Sequence, residues 1–261
     1  MEYEQRVCCF LDILGFKEHI EETINNGKDN YLKIQEIQKI ISFIQELIYD
    51  LENGTSQSKM VTHFSDSVVI SFRIEEKSEI ISTLVTLLYV AFECANKGFF
   101  IRGGVSFGKL IHTNTMVFGP ALNEAYLLES KKAIFPRIIM NKEILKYALK
   151  YRKELHTKES LGKSLQSLVV KDEDGEFYIE YMKNAVRQLS DPEYDLLEYI
   201  NNLQRFISRG LNHKSDNVVR KYEWLKKKYN AFLEPLLLDI SNNKIVGEKA
   251  LIDQYKKLRL L

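Results

Sequence analysis

Two aspartates stand where acids are out of place. Asp12 interrupts the apolar run Val7–Leu14 (VCCFLDIL), and Asp66 sits between two strand-like runs, Met60–Phe64 and Ser67–Phe72. Burying a lone carboxylate costs on the order of several kcal/mol unless it pairs or holds a cation. No lysine or arginine lies beside Asp12 within its run. A hairpin pairing beside the first run would bring both acids to one point. Two carboxylates with few cationic neighbours suit Mg²⁺ or Mn²⁺, hard ions that take oxygen ligands and leave positions for phosphate. Two such ions would neutralise a triphosphate and activate an attacking oxygen. Either acid alone also reads as a cap or turn residue, and the residues by themselves leave that open.

The elements that must position these acids follow from periodicity. Val7–Leu14 has the continuous apolar character of a buried central strand. After Gly15-Phe16 comes a polar helical stretch. Tyr31–Leu51 repeats apolar residues at helical spacing, with Asn53-Gly54 as its stop. The two runs around Ser65-Asp66 predict a tight hairpin. Glu79–Ala95 predicts a second amphipathic helix. Phe99–Phe107 predicts a strand whose Gly103 and Gly104 allow close backbone approach, with Lys109–Val117 continuing the sheet. Gly119-Pro120 opens a helix to about Lys132. Ile134–Met140 predicts a strand, and Leu168–Lys171 with Glu176–Tyr181 a hairpin around Asp174-Gly175. This order, strand, helix, hairpin, helix, strand, is that of an α+β ferredoxin-like βαββαβ palm. Beyond about residue 185 strand signals stop. Tyr194–Ile207, Ser215–Phe232 and Gly247–Leu260 read as helices. The expected division is 1–184 as one domain and 185–261 as a C-terminal helical appendage.

Bulk properties narrow the function. The chain has 261 residues, 45% hydrophobic and 28% charged, an ordinary globular balance. A net charge of +1 gives no case for nucleic-acid or membrane partners. The three cysteines, Cys8, Cys9 and Cys94, are odd in number and show no zinc spacing. They read as buried thiols in a reducing compartment. Met1–Arg6 is unlike a signal peptide, and the apolar runs look too short and interrupted to span a bilayer. A cytoplasmic protein is expected. His19, His63, His112, His156 and His213 show no metal-ligand spacing.

Four segments carry a resemblance. FLDILGF (Phe10–Phe16) resembles the opening motif of class III adenylyl and guanylyl cyclases. HFSDSVVISF (His63–Phe72) resembles their metal hairpin, and IRGGVSFG (Ile101–Gly108) the strand that follows. FGPALNEAYLLES (Phe118–Ser130) is similar to the helix that carries their transition-state asparagine. The variants FLDILGFK, FSDS, RGG and FGPAL…AYLLES look like the bacterial pyrimidine cyclases of the Pycsar anti-phage systems, which make cyclic UMP or cyclic CMP. The resemblance implies that Asp12 and Asp66 hold two Mn²⁺ or Mg²⁺ ions per site, with the carbonyl of Ile13 completing one shell. It also implies that amides around Leu14, Gly15 and Phe16 cradle phosphate, as a helix N-terminus suits an anion. Lys17 follows, either as a phosphate contact or as a solvated first-turn lysine. Arg102 is a candidate substrate contact or a strand residue paired with an acid. Asn123 matches the transition-state asparagine.

The chain departs from the purine cyclases at three positions. Thr62 stands where they place a base-reading lysine or glutamate, and Met116 where they place an aspartate or cysteine. Loss of that pair argues against ATP and GTP and fits UTP or CTP. Leu127 stands where they place a transition-state arginine. Arg102, Lys131, Lys132, Arg137 and Lys171 are the candidate replacements. The family builds its site between two subunits, so a C2 homodimer with two equivalent sites is implied. The substitution at Leu127 keeps a second reading open: a degenerate cyclase fold that binds a nucleotide or partner without turnover.

Overall fold

The computed structural model describes residues 2–52, 56–153, 157–242, 244 and 248–261. Its first strand is β1 (Glu4–Ile13), followed by a short helix α1 (Phe16–Glu21) and a two-residue ladder of β2 (Ile24–Asn25) and β3 (Lys28–Asp29). Then come α2 (Tyr31–Glu52), the hairpin β4 (Met60–Phe64) and β5 (Ser67–Arg73), α3 (Glu79–Asn96) and β6 (Ile101–His112). The expected stop at Asn53-Gly54 lies outside the described residues. The strands run in the spatial order β4-β5-β1-β6, each neighbour antiparallel. That order and those directions are the ferredoxin-like palm expected from the sequence.

Register gives each face of this sheet its residues. Asp12 faces Ser67 on β5 and Arg102 on β6, and Phe10 faces Val69 and Gly104. Side chains alternate along a strand, so Arg6, Cys8, Phe10 and Asp12 share one face. Val7, Cys9, Leu11 and Ile13 share the other and are all at most 2% exposed. The long helices α2 and α3 lie side by side, with Phe43 and Tyr89 rings 6.3 Å apart. Their apolar stripes bury Ile37, Ile40, Ile44, Leu84, Leu88 and Phe92.

Among the described residues, one helix covers part of the Asp12 face. After β7 (Val117–Phe118) comes α4 (Pro120–Leu127), which seats Ala121 and Ala125 against Cys8, Val69 and Leu110. Gly104 permits this approach: a Cβ there would lie 2.2 Å from the Ala125 carbonyl oxygen. A π-helical turn, Leu128–Lys132, follows. The sheet then continues through β8 (Ile138–Met140), parallel to β6. Helices α5 (Glu143–Lys150) and α6 (Lys158–Leu168) lead to the hairpin β9 (Val169–Lys171) and β10 (Phe177–Ile179), which pairs on β8.

Some expectations need correction. The strand expected from Ile134 starts only at Ile138; Arg137, just before it, is turned into the fold, where it pairs with Asp172 and Asp174. Helices α5 and α6 were not anticipated. Leu168, expected in a strand, closes α6, whose N-cap Thr157 accepts from the Ser160 amide at 3.1 Å. The expected extension of the sheet to Val117 is a turn at 113–116 between β6 and β7. By length and composition α3 could cross a membrane, contrary to the sequence reading, although 61% of it is buried in the fold.

The chain separates into two compact units: 1–94 with 99–179, and 95–98 with 180–261. The second contains α7 (Pro192–Leu211), α8 (Asp216–Ser241) and α9 (Lys249–Tyr255). The start expected for α9 at Gly247 lies outside the described residues. In α7, Tyr199, Leu203 and Ile207 are buried; in α8, Leu225, Tyr229 and Leu233. The Tyr255 hydroxyl donates to the Glu193 carbonyl at 3.1 Å and ties α9 to α7.

Candidate active site

The end of β1 and the tip of the β4–β5 hairpin converge. Ser67 Oγ donates to Asp12 Oδ1 at 3.1 Å, and Arg102 Nη2 donates to Asp12 Oδ2 at 3.2 Å. Asp66 follows Ser65, which takes a left-handed backbone (φ 54°) to close the hairpin. The Asp66 carboxyl is pushed above the ordinary carboxylate range, first by burial and then by the Asp12 carboxylate beside it. The turn's own backbone and the Ser65 hydroxyl pull the other way. The two aspartates therefore meet, as expected, and repel each other.

A third acid joins them, which sequence reasoning missed. Glu129, in the π-helical turn, is 3% exposed and pairs with Arg102 Nη2 at 2.5 Å. Burial pushes its carboxyl up, while Arg102 pulls it down. One guanidinium thus joins two acids, Asp12 and Glu129, with the third, Asp66, beside them. Arg102 Nε is buried without a hydrogen-bond partner among the described residues. The pairing was half visible beforehand: Arg102 was weighed as a strand residue beside an acid, but its place opposite Asp12 needed the β1–β6 register.

The donor set fits hard divalent ions. Asp12 and Asp66 supply converging, mutually repelling carboxylates, a combination that an added cation relieves. The Leu14 amide donates to the Phe100 carbonyl at 2.8 Å. By the alternation of an antiparallel pair, the Ile13 carbonyl then points away from β6, to the hairpin side that carries Asp66. Among the described residues no group of three His, Cys, Asp or Glu side chains gathers at metal-ligand spacing.

Other expected residues lie differently. Because its amide is engaged, Leu14 is withdrawn from the phosphate cradle. Gly15 caps α1 in the left-handed region (φ 74°), leaving Phe16 and Lys17 amides at the head of the helix. The Lys17 side chain is 89% exposed and 3.7 Å from Glu21, so it is a solvated helix lysine. Asn123 is exposed on α4, on the side away from Ala121 and Ala125, and does not turn into the acid pair of its own chain. Thr62 Oγ1 lies 2.8 Å from His112 Nε2. Among the candidate cations, Arg137 is fully buried on Asp172 and Asp174, and Lys132 pairs with Glu176 at 3.0 Å. Lys131 and Lys171 are exposed.

Neither a protein-family model nor a curated protein matches the chain. Solved structures do. One bacterial light-regulated adenylyl cyclase is 15% identical over 79% of this chain and 100% of its own, with a TM-score of 0.45. A second structure of a bacterial light-regulated adenylyl cyclase is 14% identical over 78% of this chain and 57% of its own, with a TM-score of 0.46.

Proposed function

We propose that the chain is a nucleotidyl cyclase of the class III type, acting on UTP or CTP, with UTP preferred. The observation that carries this reading is the meeting of Asp12 and Asp66 at one end of a ferredoxin-like sheet, with the Asp66 carboxyl pushed up. The four motif resemblances, in the family's order, support it. Asp12, Asp66 and the Ile13 carbonyl would hold the ions. Bound Mn²⁺ or Mg²⁺ lowers the pKa of a hydroxyl and screens triphosphate charge.

In the proposed reaction the ribose 3′ oxygen bonds to the α-phosphorus and the bond to pyrophosphate breaks. The chain's own part is positioning and charge. The amides of Gly15 to Lys17 receive phosphate at the head of α1. Arg102 keeps its hold on Glu129 and offers phosphate the N–H groups those acids leave unused. Asn123 faces outward, which fits its acting on the site of a second copy in a C2 homodimer. Residues 1–184 form the cyclase domain and 185–261 an appendage. The three free cysteines are buried, which suits a reducing cytoplasm. The product, a cyclic pyrimidine nucleotide, would be an infection signal in anti-phage defence.

One observation favours the degenerate alternative. Leu127 is 52% exposed on α4, one turn after Asn123, and puts no charge where the family has an arginine. Pyrophosphate release from each of the four triphosphates with Mn²⁺ separates the two readings. Turnover supports the enzyme, and binding without turnover supports the degenerate fold.

A further inference from the structure

Helix α4 continues into an acid on the stripe that it presses to the sheet. Ala121, Ala125 and Glu129 follow one another at helical spacing. The two alanines are the buried residues of α4, and Glu129 is as deep, at 3% exposure. Gly104 lets Ala125 rest on β6. Arg102 stands two residues back on the same face, and so meets Glu129. The π-helical turn that sets Glu129 there is a geometry frequent at functional sites.

The pair bears directly on Asp12. Both oxygens of Asp12 are engaged: Oδ1 accepts from Ser67 Oγ at 3.1 Å, and Oδ2 from Arg102 Nη2 at 3.2 Å. A cation that binds Asp12 competes with the guanidinium for Oδ2. Arginine does not give up its proton, so it can be moved aside but not neutralised by titration. The same nitrogen, Nη2, lies closer to Glu129 Oε1, at 2.5 Å. Arg102 therefore keeps a second and nearer carboxylate when it lets Asp12 go.

Charge points the same way. When ionised, Asp12, Asp66 and Glu129 are three negative groups against the one positive charge of Arg102. Glu129 offsets Arg102, which leaves Asp12 and Asp66 with the charge that one divalent ion matches. Without Glu129, Arg102 would offset Asp12 at the oxygen the ion needs. Arg102 is 21% exposed and Glu129 nearly buried, so salt and water screen this contest weakly.

We propose that Glu129 is a positioning residue that holds Arg102 back from Asp12, keeping the two aspartates open to a divalent cation. This rests on the metal reading of Asp12 and Asp66. Glu129 touches neither ion nor substrate and acts through Arg102.

The test is Mn²⁺ affinity without nucleotide, read from the free-ion signal in electron paramagnetic resonance. It is run at about pH 8, where carboxylates are ionised. The wild-type chain is compared with Glu129→Gln, Glu129→Asp, Arg102→Gln and the double variant Glu129→Gln, Arg102→Gln. Glu129→Gln should weaken Mn²⁺ binding by about tenfold or more, the effect of an unopposed cation beside a ligand. Glu129→Asp keeps the charge with a shorter reach and should weaken it severalfold. Arg102→Gln removes the competitor and should bind at least as tightly as wild type. The double variant should recover wild-type affinity, which a merely structural pair would not do. Thermal melting alongside separates loss of fold from loss of affinity, and Arg102→Gln carries the test if Glu129→Gln does not fold.

Wild-type affinity in Glu129→Gln or Glu129→Asp, weaker binding in Arg102→Gln, or no recovery in the double variant overturns the proposal and leaves the metal reading standing. No Mn²⁺ binding by the wild type, or binding that survives Asp12→Asn with Asp66→Asn, removes the metal reading and the proposal with it. The expected pattern of affinities without any cyclic product would sustain the proposal while removing the cyclase reading.

Discussion

Arg102 and Arg137 each hold two carboxylates, and they hold them to opposite effect. Arg137 has no exposure and grips Asp172 and Asp174 in the β9–β10 turn, with the Phe135 and Tyr178 rings 5.2 and 6.0 Å away. Its hydrogen bond holds the Asp174 carboxyl below the usual range. Arg102 is 21% exposed and grips Asp12 and Glu129, but Asp66 crowds in beside them. There the carboxyls of Asp66 and Glu129 are pushed up, burial coming first in both. We read the Arg137 cluster, one guanidinium on two carboxylates, as a structural staple, and the Arg102 cluster, where Asp66 adds a third acid, as the proposed receptor for cations.

The largest expected effect lies at the receptor. Asp12→Ala or Asp66→Ala should cut triphosphate turnover by about a thousandfold or more, as loss of a metal ligand removes several kcal/mol of transition-state stabilisation. Thermal melting of the same variants should stay near wild type. Full turnover in either variant would end the metal assignment.

At the staple the loss should be in stability. Arg137→Ala leaves buried Asp172 and part-exposed Asp174 without their cation and should cost about 3–5 kcal/mol in urea unfolding. Arg102→Ala also strands a buried acid, Glu129, but one whose carboxyl is already pushed up and can take a proton, so it should cost less, about 1–2 kcal/mol. Equal costs would erase the distinction between the two arginines.

Added Mn²⁺ should sharpen it. At a hundredfold excess over its Kd a ligand of the folded state adds about 2.7 kcal/mol. A rise of that size should appear in wild type and in Arg137→Ala, and vanish in the Asp12→Asn, Asp66→Asn double variant. A rise that persists in the double variant would place the ion elsewhere.

The smallest effect is in pH. A carboxyl raised on folding binds protons more readily folded than unfolded. Metal-free stability from Asp66 and Glu129 therefore increases as pH falls through their raised values. Asp174 is lowered, so its contribution is present above its unfolded value of about 3.8 and is lost as pH falls below that. Urea midpoints of wild type minus Asp66→Asn, read from pH 7 down to pH 4, should show the relative gain on the acid side. A flat difference would mean that neither burial nor the Asp12 charge raises Asp66.

Much of this was legible from the residues. The palm followed from periodicity, because β1, α2, the hairpin, α3 and β6 each bury a long regular face. The meeting of Asp12 and Asp66 followed from the hairpin between those elements. Short elements did not show: α5 and α6 bury only two or three side chains each, too few to impose a period. The partners of the site were also hidden. Glu129 and Arg102 meet Asp12 through strand register and helix placement, which no local pattern encodes. His112 was set aside for lack of metal-ligand spacing, and its buried contacts with Ser71 and Thr62, each at 2.8 Å, come from three different strands that no local pattern joins. Leu14 was misplaced because its amide is consumed by Phe100, a contact across two strands.

The most direct test of the whole account is a product analysis. The purified chain is incubated with Mn²⁺ and, separately, each of the four triphosphates, and products are identified by mass. The account predicts pyrophosphate and a cyclic pyrimidine nucleotide, with UTP the best substrate. No cyclic nucleotide from any triphosphate would contradict it.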